Sequence, residues 1–115
     1  MEKPRMFLLT ARTNSTDYVD ILNTTVSLNA RGVSYFTLGI DPDPNALYQI
    51  KIGTLYEAFD LEIPALWTVE YPHLTKGFYL GFKPGDAIII RHRSKDPAIT
   101  VQTSLTMAFT EVMAR

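Results

Sequence analysis

The sequence predicts an all-β protein: a single antiparallel β-sandwich, jelly-roll-like, of about eight strands with at most one short helix. Three observations carry this expectation. Ile99, Val101, Leu105, Met107 and Phe109 alternate with Thr100, Gln102, Ser104, Thr106 and Thr110, and only Thr103 interrupts the apolar column. A period of two is that of a half-buried strand. Turn residues recur about every 8–12 positions, the spacing of short strands in sandwiches and barrels. No window carries a sustained 3.6-residue apolar stripe.

Taken in order, Phe7, Leu9 and Ala11 alternate with Leu8, Thr10 and Arg12 until Asn14-Ser15-Thr16-Asp17 interrupts. Tyr18 to Leu22 forms a second piece, broken near Asn23, and Val26 with Leu28 a third, ended by Asn29-Ala30-Arg31-Gly32. Val33 to Ile40 places Phe36, Leu38 and Ile40 on one face. Asp41-Pro42-Asp43-Pro44-Asn45 then stops it, because prolines cannot donate to a sheet ladder. Tyr48, Ile50 and Ile52 alternate next, and Leu55 to Phe59 is the one place where a helical turn is expected. Trp67, Val69 and Tyr71 alternate with Leu66, Thr68 and Glu70, and Pro72 to Gly77 reads as a loop before the aromatic piece Phe78 to Phe82. Lys83-Pro84-Gly85-Asp86 has Pro and Gly where a type II turn wants them. Ala87 to Arg93 is a strongly apolar strand, and Ser94-Lys95-Asp96-Pro97 turns the chain into its last strand.

Composition narrows the functional classes. At 115 residues, 46% hydrophobic and 20% charged, the whole chain, residues 1–115, reads as one globular domain. A formal charge of -1 supplies no global field for nucleic acid or anionic membrane. With no cysteine, a disulfide framework and thiolate metal sites are excluded. The apolar run Met6 to Leu9 is too short for a signal peptide or a membrane span. The chain is therefore expected to be a complete small product of a cytoplasm, soluble there, with no cofactor.

Candidate chemistry is sparse. His73 and His92 lack the spacing of a metal site and read as ordinary surface histidines. Asp41, Asp43 and Asn45 alternate as calcium ligands do, but Ala46 and Ile52 stand where a calcium hand needs Gly and Glu, so a proline turn is expected instead. Glu57, Asp60, Glu62 and Glu70 offer acid pairs without a defined cleft, and no Gly-x-Ser-x-Gly elbow or glycine-rich phosphate loop occurs. Asn14-Ser15-Thr16 and Asn23-Thr24-Thr25 match glycosylation sequons and, with no signal peptide, read as coincidence. Arg91-His92-Arg93-Ser94-Lys95 is the one basic cluster; a solvated strand end or a salt-bridging contact to a neighbouring subunit fits it better than nucleic acid. Trp67, Tyr71 and Tyr79 could stack on sugar rings, which makes a carbohydrate-binding module the alternative, although Trp67, Val69 and Tyr71 also fit a sheet core.

The polar face of the last strand, Thr100, Gln102, Ser104, Thr106 and Thr110, carries no charge. An exposed strand usually defends itself with Lys and Glu. A second sheet or another subunit is therefore expected to cover this face, with Arg91 and Arg93 contributing to the same interface.

The carboxy-terminal third, through Phe82-Lys83-Pro84-Gly85-Asp86, Ile88-Ile89-Ile90-Arg91 and Ile99 to Leu105, resembles the closing strands of small jelly-roll proteins from tailed-bacteriophage particles. Similar turns occur in carbohydrate-binding modules and cupins, but a cupin's histidine set is missing. The resemblance implies a non-enzymatic virion component, such as a capsid decoration, fibre or tail accessory protein. It would act as a homo-oligomer, with a larger capsid or tail protein as a further partner.

Overall fold

The computed structural model of the chain describes residues 2–54, 56–62, 67–70 and 83–113, with 56 and 67–70 described as backbone. Eight strands follow one another: β1 (Glu2–Thr13), β2 (Val19–Thr25), β3 (Ala30–Asp41), β4 (Ala46–Ile52), β5 (Tyr56–Leu61), β6 (Trp67–Glu70), β7 (Ala87–Ser94) and β8 (Val101–Met113). Their antiparallel pairings nest: β1 with β8, β2 with β7, β3 with β6 and β4 with β5. Two more pairings, β3 with β8 and β4 with β7, roll this ribbon up. The result is two four-stranded sheets, ordered β1-β8-β3-β6 (the first sheet) and β2-β7-β4-β5 (the second). That wrapping of a folded ribbon is a jelly roll. Among the described residues there is no helix, and so none long and apolar enough to cross a membrane.

Side-chain alternation decides what lies between the sheets. Val101, Leu105, Met107 and Phe109 of β8 meet Phe36, Leu38 and Ile40 of β3, Tyr48, Ile50 and Ile52 of β4, and Ile88 and Ile90 of β7, all buried. Each such side chain contributes about 1.5–3 kcal/mol on leaving water, so this cluster is the main source of stability. Phe36 and Phe7 stack on Phe109 from either side, each with ring centroids 6.3 Å apart.

Several expectations need correction. The helical turn expected over Leu55 to Phe59 does not form from Tyr56 onward: Tyr56 and Ala58 stand opposite Ile52 and Ile50 as β5, held extended by the ladder with β4, and Leu55 lies outside the described residues. Asn23 does not break the second strand, which continues to Thr25. Val26 and Leu28 are not a strand; Val26 is buried just after β2 and Leu28 is exposed in a turn. Ala30 begins β3 rather than ending a segment, since it already pairs with Met113, and Gly32 with Val112.

The tight turn is as expected. Gly85 has φ +83°, the value a type II turn demands of its third residue, and Asp86 N–H donates to Lys83 O at 3.0 Å. The segment Phe78 to Phe82, with the loop before it and His73, lies outside the described residues.

Candidate interaction surface

The two outer faces of the sandwich differ in chemistry. On the second sheet, alternation turns Arg91, Arg93, Gln49 and Lys51 outward, opposite Asp20 and Glu57 in the register. Arg91 Nε donates to Asp20 at 2.5 Å, and this bond holds the Asp20 carboxyl below its usual range. Arg93 reaches Asp60 at 3.0 Å and lies over the Tyr18 ring, 5.4 Å from its centroid. The hydrogen bond from the Tyr18 hydroxyl, followed by Arg93, lowers the Asp60 pKa, while burial chiefly raises that of Tyr18. Lys95 pairs with Glu62 at 3.4 Å. This sheet pairs Arg91, Arg93 and Lys95 with carboxylates of the same chain, and it exposes one large apolar side chain of β5, Phe59, at 57%.

The outer face of the first sheet is different. Along β1 it presents Pro4, Met6, Leu8 and Thr10; along β8, Ser104, Thr106, Ala108 and Thr110; along β3, Thr37 and Gly39. Register sets these in rows, Met6–Ala108–Thr37 and Leu8–Thr106–Gly39. No residue of these rows is charged. Met6 is 74% exposed and Leu8 72%, and Tyr35 joins them at 52%. Charge returns at the margins, where Arg12 Nε donates to Gln102 Oε1 at 2.8 Å, Asp41 stands opposite Ser104, and Glu70 of edge strand β6 stands opposite Thr37.

Two backbone features shape this face. Tyr35 adopts φ +53° at a bulge where the β3–β8 register shifts between Ser34 and Thr37. Such a conformation costs a bulky residue about 1–3 kcal/mol and is typically retained where the chain uses it. Gly39 lets Thr106 cross it: a Cβ there would stand 2.8 Å from Thr106 Oγ1. A depression of about 380 Å³ opens beside it, between Leu8, Ser104 and Asp41, and a second of about 430 Å³ lies between Met6, Tyr35 and Thr110. The surface is ridged and wide rather than a closed cleft.

The structure divides the expected interface set. Gln102, Ser104, Thr106 and Thr110 share the uncharged face, with Thr100 exposed just before β8. Arg91 and Arg93 lie on the opposite side of the sandwich, occupied by Asp20 and Asp60. β8 is also a central strand, flanked by β1 and β3, so the absence of charge on it is no matter of edge defence. No described strand of the second sheet covers it; Gln102 and Thr106 remain exposed. Met6, Leu8 and Tyr35, which the sequence reading left out, belong to the same patch. The alternation of β1 places Met6 and Leu8 opposite Phe7 and Leu9, so their exposure was legible once β1 was paired.

The other candidates resolve as follows. Trp67 pairs with Ile40 in the register, whereas Tyr71 and Tyr79 lie outside the described residues. Asp43 holds the proline turn: its carboxylate accepts from Asn45 N–H at 2.9 Å and Gln102 N–H at 3.1 Å. Among the described residues no group of three or more His, Cys, Asp or Glu is placed to hold a metal ion.

His92 is not a surface histidine. It shares the inner face of β7 with Ile88 and Ile90 and is fully buried, because alternation carries it inward while Arg91 and Arg93 point out. Its Nδ1 lies 3.0 Å from Thr103 Oγ1, which lies 2.7 Å from Tyr48 Oη, which accepts from Asp43 N–H at 2.8 Å. Burial lowers the His92 pKa, with Asp43 partly opposing. Thr103, the interruption in the apolar column, is therefore the centre of a buried polar chain linking the two sheets.

No protein-family model matches the chain, and comparison with curated proteins and with solved structures finds no match either.

Proposed function

We propose that the protein is a non-enzymatic assembly subunit that acts through protein–protein contacts on the outer face of its first sheet. The observation that carries this reading is the contrast between the two faces. One spends its charges on Asp20–Arg91, Asp60–Arg93 and Glu62–Lys95. The other leaves Met6, Leu8 and Tyr35 in water among hydroxyl groups. Continuous exposed apolar surface on a small domain marks a contact site. The titratable groups that the strands bring together hold structural pairs, Glu111 with Arg5 and Asp43 with backbone amides, which agrees with a role in assembly rather than turnover.

The setting we propose is a virion, with the protein as a capsid decoration or a tail or fibre accessory made in a host cytoplasm. It would bind copies of itself and a larger capsid or tail protein. The jelly roll supports this as far as a fold can: capsid proteins use it, and so do lectins and cupins.

Sedimentation velocity of face-specific variants tests the reading. Leu8→Glu should abolish association that the unmodified protein shows, whereas Asn23→Lys on the opposite face should leave it intact. An unmodified protein that never associates with itself, or equal effects from both faces, overturns it.

A further inference from the structure

We propose that self-association runs through the free edge of β1, which pairs antiparallel with β1 of a second copy about a two-fold axis at Phe7. This rests on the assembly reading above and names its geometry.

The first observation is how the strand edges are protected. Edge strands expose unpaired N–H and C=O groups, and proteins blunt them by shortness, bulges or charge. β6 has four residues. β2 is bulged between Asp20 and Leu22, and β5 is paired to β4 through a bulge, with Asp60 at φ +53°. β1 has neither device. It runs for 12 residues with unbroken register, from Glu2 opposite Val112 to Thr13 opposite Val101. Met6 to Ala11 is an uncharged run along it, and among the described residues no strand pairs with its other edge.

The second observation is that β1 is complementary to itself. Directly opposed residues of an antiparallel pair share a face. Centred on Phe7, the pairing sets Met6 opposite Leu8 of the second copy and Glu2 opposite its Arg12. Each contact occurs twice by symmetry. Shifting the centre to Leu8 opposes Arg12 to Pro4 and leaves Glu2 unmatched. Exposed ion pairs contribute little energy; here they select register, while the backbone ladder and the Met6–Leu8 pairs hold the strands. Pro4 withholds one N–H near the strand end, where an edge tolerates it.

Size supplies the third argument. Three strands at about 4.8 Å spacing and a seven-residue run at about 3.3 Å per residue give an uncharged patch of roughly 300 Å², well under the about 800 Å² per partner of a stable interface. Edge pairing adds ladder bonds that the flat patch lacks. It also joins two patches into one platform for a larger partner.

The cysteine-free chain makes the test direct, since each variant then carries a single thiol. Met6→Cys and Leu8→Cys change exposed side chains. In the proposed register the two positions are directly opposed, about 4.5–5.5 Å apart at Cα, whereas each lies diagonally from its own copy, about 7–8 Å away and beyond disulfide reach. Under mild oxidation the mixture should yield a disulfide-linked species of doubled mass that neither variant yields alone. In parallel, Glu2→Arg and Arg12→Glu should each lower association and together restore it. Association of the unmodified protein without mixed cross-linking and without charge-swap rescue overturns the edge pairing and leaves the assembly reading standing. Absence of any self-association in sedimentation overturns both.

Discussion

The hydroxyl of Thr103 lies 3.0 Å from Nδ1 of His92, deep between the two sheets, and it joins that ring to the Tyr48 hydroxyl 2.7 Å away. Asp43 N–H donates to the Tyr48 hydroxyl, and the Thr103 hydroxyl bridges that group to the His92 ring, whose Nε2 has no partner among the described residues. Thr103→Val keeps the shape but breaks the chain at its centre. It should cost about 1–3 kcal/mol, because His92 Nδ1 loses its partner in the core and Tyr48 keeps only the Asp43 amide. Urea unfolding of the variant measures the loss directly.

A pH dependence follows from the same site. Burial lowers the folded-state pKa of His92 below its ordinary 6.5, so near and below that value the unfolded chain binds a proton the folded chain refuses. Stability should therefore fall as pH drops through about 6.5, by at most about 1.4 kcal/mol per unit, until the folded-state pKa is reached. Asp20 and Asp60, whose pKa values are lowered, act in a separate window, losing their contribution as pH falls below the ordinary carboxylate range. Denaturation midpoints of His92→Gln between pH 7 and 5 should lack the histidine-dependent slope.

Arg5 and Glu111 lock the open side of the sandwich. Glu111 is buried, accepts from Ser27 N–H at 2.6 Å and lies 3.8 Å from Arg5. Arg5 in turn donates to Thr25 O and Thr24 Oγ1, each at 2.9 Å, and covers the Phe7 and Phe109 rings. Glu111→Ala strands an amide and a partly buried guanidinium. A loss of about 2–4 kcal/mol is expected, at the lower side of a fully buried pair because Arg5 is still partly hydrated. Hydrogen exchange should show β1 and β2 opening first.

Tyr35 tests whether strain on the uncharged face is kept for use. Asn tolerates a positive φ better than Tyr. Tyr35→Asn should raise stability by about 1 kcal/mol, or about 4 °C in Tm, and, because β3 stands two strands from the free edge of β1, should leave self-association unchanged. Differential scanning calorimetry and sedimentation read the two effects separately.

Alternation made most of this fold legible in the sequence. The column of β8, the inward set of β4 and the Pro84-Gly85 turn follow directly from residue order, because period and turn chemistry are local. The limits of β2 and β3 were not legible, since Asn23 and Gly32 look like punctuation until cross-strand partners hold them in the ladder. His92 was misjudged by its charged neighbours, although the alternation of Ile88, Ile90 and His92 already turned it inward. The uncharged face was only half visible. Its β8 half is one segment, whereas Met6 and Leu8 come from the far end of the chain and join it only through the β1–β8 register.

The absolute mass of the unmodified protein, by light scattering across a concentration series, tests the central claim most directly. A mass rising to a defined multiple of 13.0 kDa, and returning to 13.0 kDa for Leu8→Glu, is the predicted result. A mass of 13.0 kDa at every concentration, or an oligomer indifferent to that substitution, would contradict it.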